Sequence, residues 1–147
     1  MQIITKGLIV KEQDIGDGDK LVTMLTDKFG IIRSFAKGVK NIKNKNAVST
    51  QLFCFSDFII YKGKNKYIIN ESDPKELFYE LRKDIEKLSL AQYFCELIMF
   101  LVPEDFESQD FLKLTLNSLY YLSKDKCKKN IIKSIFEMRS MVIAGYM

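Results

Sequence analysis

"IITKGLIVKEQDIGDGDKLVTMLTDKFGIIRSFAK", residues 3–37, reads as three strands in close succession. "IITKGLIVKE" (3–12) and "LVTMLTD" (21–27) are rich in β-branched and apolar residues, and the acidic, glycine-containing "DIGDGDK" (14–20) between them is a turn. "KFG" (28–30) then turns the chain into "IIRSFAK" (31–37). After a long basic connection come "QLFCFSDFIIYK" (51–62), a turn "GKNK" (63–66) and a short "YIINE" (67–71), which makes five strands in the first 72 residues. A small closed or partly open barrel suits this pattern, because closure hides the strand edges that a flat sheet would expose.

At Asp73 the period changes. "DPKE" (73–76) offers an N-cap Asp, a Pro at the first helical position and a Glu placed to close a capping box, so a helix is expected to begin there. Leu88, Ala91, Cys95, Ile98 and Val102 then recur at helical spacing until Pro103. Ser108 is expected to cap a helix carrying Phe111, Leu114, Leu119 and Leu122. Asp125 is expected to cap another, whose apolar positions are Ile131, Ile135, Met138 and Val142 and whose stop is Gly145. The chain is therefore expected to be α+β, with a barrel over residues 1–72 and a bundle of three or four helices over 73–147. No flexible linker separates the halves, and units of about 70 residues bury little surface alone, so a shared apolar interface is expected.

Composition removes most catalytic chemistry. Among 147 residues there is no histidine, hence no usual general base and no His-dependent triad. No glycine-rich phosphate loop occurs, and Asp14, Asp17 and Asp19 fail the calcium-loop pattern because Leu21 occupies the next ligand position. Glu104, Asp105 and Glu107 read as a solvated loop between helices. The expectation is a protein without enzymatic activity, catalytic residues, cofactor or metal. Cys54, Cys95 and Cys127 are odd in number and widely spaced, which suits core thiols in a reducing cytoplasm. No apolar run approaches the roughly 18 residues that span a bilayer, so no membrane partner is expected.

Charge placement is more informative than the net charge of +4. Residues 1–75 carry +5 and residues 76–147 carry −1. Within the first half, residues 28–56 hold six cations (Lys28, Arg33, Lys37, Lys40, Lys43 and Lys45) and no acid. Such a one-signed stretch attracts phosphate. Along the third strand the period of two places Ile32, Ser34 and Ala36 on one face and Ile31, Arg33, Phe35 and Lys37 on the other. Phe35 then lies between two cations about 7 Å away along the strand, where a base can stack while neighbouring phosphates meet Arg33 and Lys37. Lys40, Lys43 and Lys45 continue this track, and Lys62, Lys64 and Lys66 add to it at another turn. The competing reading is a solvated Lys/Asn loop with Phe35 packed against the helices.

A second cationic cluster, Lys124, Lys126, Lys128, Lys129 and Lys133, lies beside apolar helix positions and suits an acidic, apolar-ended peptide. A protein-interaction module built on Lys126, Lys128, Lys129 and Lys133 is thus an alternative to the nucleic-acid reading. An RNA-binding barrel is a further one, because no residue here distinguishes a 2′-hydroxyl from its absence.

The order of features from residue 5 to 38 resembles the bacterial recombination mediator family RecO: "TKGLIVKEQD" (5–14), "GDKLVTMLTDKFG" (18–30) and "FAKG" (35–38) leading into a basic loop. "LRKDIEKLSLAQYFCELI" (81–98) resembles the opening of that family's helical domain, and "FEMRSMVIAGYM" (136–147) resembles a helix closing on a Gly-Tyr pair. The resemblance implies an OB barrel followed by a helical domain. It further implies binding of single- and double-stranded DNA, annealing of complementary strands, contact with the acidic C-terminal tail of single-stranded DNA-binding protein, and work with RecR in loading RecA. It implies a bacterial cytoplasmic, nucleoid-associated protein that is not an enzyme. DNA contact carries over to Arg33, Lys37, Lys40, Lys43 and Lys45. In that family a basic residue and a serine commonly follow the Ala-Lys-Gly element, whereas here Asn44 sits between Lys43 and Lys45. Many relatives continue past the Gly-Tyr pair into a four-cysteine zinc module, whereas this sequence ends at Met147, so the helical domain is expected to be short for the family and to hold no metal.

Overall fold

Alternating apolar and polar residues along Gln2–Ile15 build one long strand, β1, shared by two neighbours in the computed structural model, which describes residues 1–146. Its first half pairs antiparallel with β4 (Phe55–Lys62) and its second half with β2 (Asp19–Thr26), with a register irregularity between Ile9 and Lys11 that bends the strand. β3 (Ile31–Ala36) pairs antiparallel with β2 and parallel with β5 (Tyr67–Glu76), and β5 returns antiparallel to β4. The order β1-β2-β3-β5-β4 closes on itself, which is the five-stranded OB barrel. Ile9, Val22, Met24, Ile32, Ala36, Phe58 and Ile60 fill its interior. The alternation expected along β3 holds, since Ile32, Ser34 and Ala36 are buried while Arg33 is exposed and Phe35 half-buried.

The helix expected from Asp73 does not form. β5 runs through Pro74 to Glu76, with Pro74 opposite Ser56 beside a register irregularity where the missing N–H is tolerated. The Glu76 carboxylate accepts from the backbone N–H groups of Leu77 and Phe78 instead of closing a helical capping box. A 3₁₀ turn over Tyr79–Arg82 follows, then α1 (Ile85–Leu101), whose N-cap is Asp84. One oxygen of Asp84 accepts from Glu86 N and Lys87 N at 2.9 and 3.3 Å, and these bonds hold its pKa below the usual value.

α2 (Gln109–Ser123) buries Phe111, Leu114, Leu119 and Leu122 as expected, and Gly145 stops α3 (Lys129–Ala144) in a left-handed conformation. Asp125 does not cap α3. Its carboxylate instead takes the ammonium of the buried Lys87 at 2.9 Å, and Lys128 precedes the helix. α3 also turns an unexpected side inward. Ile132, Phe136 and Ser140 are buried, whereas Ile131, Ile135, Met138 and Val142 face solvent. The ring of Phe136, stacked 4.1 Å from that of Phe94, selects this orientation.

The halves share one core, in which Leu8, Val10, Leu25, Ile31 and Phe53 of the barrel side meet Leu81, Phe94, Ile98, Phe111 and Leu119. Backbone hydrogen bonds reinforce it. The α1–α2 connection docks on the β2–β3 turn through Ile31 N to Pro103 O, Asp105 N to Phe29 O and Ser108 N to Asp27 O, while the Ser108 hydroxyl donates to Thr26 O. Gly30 makes this approach possible. Its φ is +67°, and a Cβ there would lie 2.1 Å from Pro103 O.

Candidate nucleic-acid interface

Register places the central residue of the site. Phe35 on β3 stands opposite Leu21 on β2 and Ile68 on β5, and all three side chains are half-buried on the outer barrel wall. They form an apolar row across three strands. The lower part of the same wall, at Leu25 and Ile31, lies under the helices, whereas this row remains open to solvent. Sequence reasoning finds Phe35 but not its two neighbours, because which residues stand opposite a given residue is fixed by pairing, and a period of two does not reveal pairing.

Cations rim the row. Arg33 and Lys37 are exposed and form no ion pair among the described residues. The β4–β5 hairpin closes through Gly63 N to Lys66 O at 2.8 Å and projects Lys62, Lys64 and Lys66 into solvent. Lys66 Nζ lies 5.9 Å from the centre of the Phe35 ring, and Lys62 Nζ lies 6.0 Å from that of Tyr67. Phe35 therefore has a cation from the β4–β5 hairpin over its ring as well as Arg33 on β3 and Lys37 just past its end.

The basic connection between β3 and β4 is a run of turns whose shape is held by asparagines. Asn41 and Asn44 accept from the N–H groups two residues on, Lys43 and Asn46, and the Asn44 amide donates to Lys37 O. Asn46 is buried, donating to Asn70 O and accepting the Ser72 hydroxyl at 2.6 Å. Hence Asn44, which departs from the resembled pattern, serves the loop backbone. At the tip Ile42 is 90% exposed between Lys40 and Lys43, an apolar contact that charge counting passes over.

Folding also brings acids to a stretch that has none in sequence. Asp19 accepts from Gly38 N, Asp14 lies 3.3 Å from Lys40, and Glu71 lies 4.0 Å from Lys45. Lys43 keeps no such neighbour among the described residues. Both pairs are largely solvated and therefore weak.

The second cationic cluster is dispersed by the fold. Lys129 bonds Glu86 at 2.8 Å, Lys124 bonds Glu80 at 2.7 Å, and Lys133 sits over the Tyr93 ring on the α1 side. Lys128 is exposed ahead of α3. Only Lys126 of the expected set lines the cavity of about 760 Å³ between α2 and α3, whose walls include Leu114, Ile132, Ile135 and Ile143. Lys113 and Arg139 supply its other cations. Sequence reasoning misses both because they are isolated charges along the chain that meet only when the two helices pack.

Among the described residues no group of three or more Cys, Asp and Glu side chains is placed to hold a metal, and no helix is long and apolar enough to cross a membrane. The family profile described as "Recombination protein O N terminal" matches residues 1–78, and "Recombination protein O C terminal" matches residues 82–147. The chain is 36% identical over 142 residues to the DNA repair protein RecO of Clostridium novyi (strain NT), a match that covers 97% of this chain and 56% of that protein. The RecO of Acetivibrio thermocellus is 36% identical over 143 residues, covering 97% and 57%, and that of Alkaliphilus metalliredigens is 32% identical over 145 residues, covering 99% and 59%. The chain thus spans a little over half the length of these relatives. With an OB barrel, a helical half docked on its β2–β3 turn and both profiles matched in order, the chain belongs to the RecO family of DNA repair proteins.

Proposed function

We propose that the chain binds single-stranded DNA on the β2–β3–β5 wall, bases stacking on Phe35 between Leu21 and Ile68, and phosphates meeting Arg33, Lys37, Lys43, Lys62, Lys64 and Lys66. Lys40 and Lys45 contribute once DNA displaces their exposed carboxylate partners. The observation that supports this reading is an open apolar row rimmed by unpaired cations on the barrel face that OB folds use for oligonucleotides. The role is that of a recombination mediator in DNA repair, which anneals complementary strands and helps RecR load RecA, with no covalent chemistry of its own. Double-stranded DNA meets the same cations without the stacking contribution. The cytoplasmic, nucleoid-associated location follows from such a role.

Fluorescence anisotropy of a labelled oligonucleotide tests the reading. If about four phosphates are neutralised, the log–log salt slope is near −3, and affinity falls about fiftyfold between about 50 and 200 mM salt. Phe35→Ala costs about 1 to 3 kcal/mol through lost stacking. Salt-independent binding, or a Phe35→Ala variant that binds as tightly as the parent, refutes it. Tighter binding of RNA of the same sequence would assign the wall to the other nucleic acid.

The α2–α3 cavity favours a second, compatible reading: an acidic peptide with an apolar end, such as the tail of single-stranded DNA-binding protein, docks there. Its carboxylates meet Lys113, Lys126 and Arg139, and its apolar end meets Leu114, Ile132 and Ile143. Lys113→Glu with Arg139→Glu abolishes peptide binding, whereas Lys129→Glu, at a lysine already engaged by Glu86, leaves it unchanged.

A further inference from the structure

The apolar row on the outer barrel wall does not stop at β5. Ile60 and Ile69 are buried in the barrel interior, so Tyr61, the next residue on β4, and Ile68, the preceding one on β5, lie on the outer face, where register sets them opposite one another. The row therefore runs Leu21, Phe35, Ile68, Tyr61 across β2, β3, β5 and β4. Tyr61 is 46% exposed, which leaves a second aromatic ring open two strands away from Phe35. Charge on the two sides of this extension is unequal. On the hairpin side, residues 62–70 hold Lys62, Lys64 and Lys66 and no acid. On the other side the same two strands place Glu71 opposite Ile59 and Asp73 opposite Asp57, and the lysines there already face acids. Lys6 on β1 stands opposite Asp57, and Lys75 Nζ lies 2.8 Å from Asp73 and 3.6 Å from Asp57.

We propose that Tyr61 is a second base-stacking platform, and that a single DNA strand lying on Phe35 continues over Ile68 onto it with its phosphates along the lysines of the β4–β5 hairpin. The proposal rests on the reading of the β2–β3–β5 wall as a single-strand site and extends that site by one strand. Neighbouring strands lie about 4.8 Å apart, which sets the two rings about 10 Å apart along the row, or about three base steps of about 3.4 Å. One base on each ring and two over Ile68 between them make a track of about four nucleotides, within the span of one OB barrel. A phenol ring stacks on any base, so the contact adds affinity without sequence preference. The acids further along β4 and β5 repel the backbone from their side. They thereby fix how the strand leaves the wall, with bases toward Tyr61 and phosphates toward Lys64 and Lys66.

Fluorescence anisotropy with a labelled oligothymidylate of about 20 nucleotides, longer than one barrel spans, gives the first readout. Tyr61→Ala, at an exposed position, should bind about five- to 150-fold more weakly, while Tyr61→Phe, which keeps the ring, should bind as the parent does. The second readout uses the absence of tryptophan from the sequence. Tyr61→Trp puts a single indole in the row, and its emission should be quenched as the oligonucleotide is added. Tyr79→Trp, at a 52% exposed position on the helical half, should be quenched little. Lys64→Ala should lower the log–log salt slope by about 0.7, and Lys75→Ala should leave it unchanged. Binding by Tyr61→Ala as tight as the parent's, or a Tyr61→Trp signal quenched no more than that of Tyr79→Trp, overturns the proposal, and equal slopes for the two lysine variants overturn the phosphate path. If Phe35→Ala still weakens binding in that case, the wall is a DNA site that ends at β5; if neither ring matters, the reading of the wall falls as well.

Discussion

Gly30→Ala tests how the two halves are joined. The substitution carries two separable costs. A non-glycine residue at φ +67° costs about 1 to 2 kcal/mol. In addition, the new Cβ would lie 2.1 Å from Pro103 O and 3.2 Å from the backbone N and O of Phe106, so the α1–α2 connection must move away. That movement releases the bonds from Ile31 N, Asp105 N and Ser108 N, at about 1 kcal/mol each. The sum is about 4 kcal/mol, and with a urea slope of about 2 kcal/mol/M the unfolding midpoint falls by about 2 M. Gly16→Ala provides the control, since Gly16 has φ +60° and a methyl group at that position would meet nothing within 4 Å, so the variant reports the conformational cost alone. Urea denaturation of both variants, followed by circular dichroism, separates the contributions. If Gly30→Ala shifts the midpoint no further than Gly16→Ala, the docking of Pro103 against the β2–β3 turn adds nothing to stability and the reasoning fails.

Among the basic-loop residues, Lys43→Ala should weaken single-stranded DNA binding more than Lys40→Ala, because Lys40 must first leave Asp14; Asp14→Asn should tighten binding, and equal effects in a salt-matched titration would argue against that. Asp84 has a depressed pKa from its capping bonds, and Glu80 has one from Lys124, so their stabilisation is present above about pH 4.5 and is lost as pH falls through their folded values. Asp84→Ala should therefore flatten the acid limb of a stability–pH curve, which urea midpoints from pH 7 down to about 3 would show. A thiol reagent should modify Cys127 rapidly in the native protein and leave Cys54 and Cys95 slow, since both are buried and burial pushes the Cys95 thiol up to about 12; release of more than one thiol equivalent at pH 7.5 would contradict this. Phe136→Ala removes the ring stacked on Phe94 and should cost about 3 to 5 kcal/mol, measured by urea unfolding.

Local chemistry was legible where one residue type settles the matter. The five strands, the inward face of β3 and Gly145 after α3 follow from alternation and from the special backbone of glycine, whereas Ser108 precedes α2 as expected but does not cap it with its side chain, because its hydroxyl donates to Thr26 O instead. What failed was competition between two locally valid signals. Asp73-Pro74-Lys75-Glu76 is as good a helix start as Asp84, yet β4 supplies a pairing partner that carries the strand past it. On α3 both sides are apolar at helical spacing, and only the position of Phe94 on another helix determines which side turns inward. The candidate wall divides in the same way: Arg33, Phe35 and Lys37 share a strand and could be read from it, whereas Leu21 and Ile68 join Phe35 only through register.

The turns between β3 and β4 keep their shape through carboxamide groups, with Asn41, Asn44 and Asn46 holding the backbone. The lysine ammoniums on the same segment carry almost none of that scaffolding. Frame and charge are thus assigned to different residues, so cations can be added, removed or exchanged for arginine while the peptide path stays where it is. A surface of this kind can have its grip on a polyanion adjusted in small steps, by mutation or by acylation of its amines, at little risk to the barrel beneath.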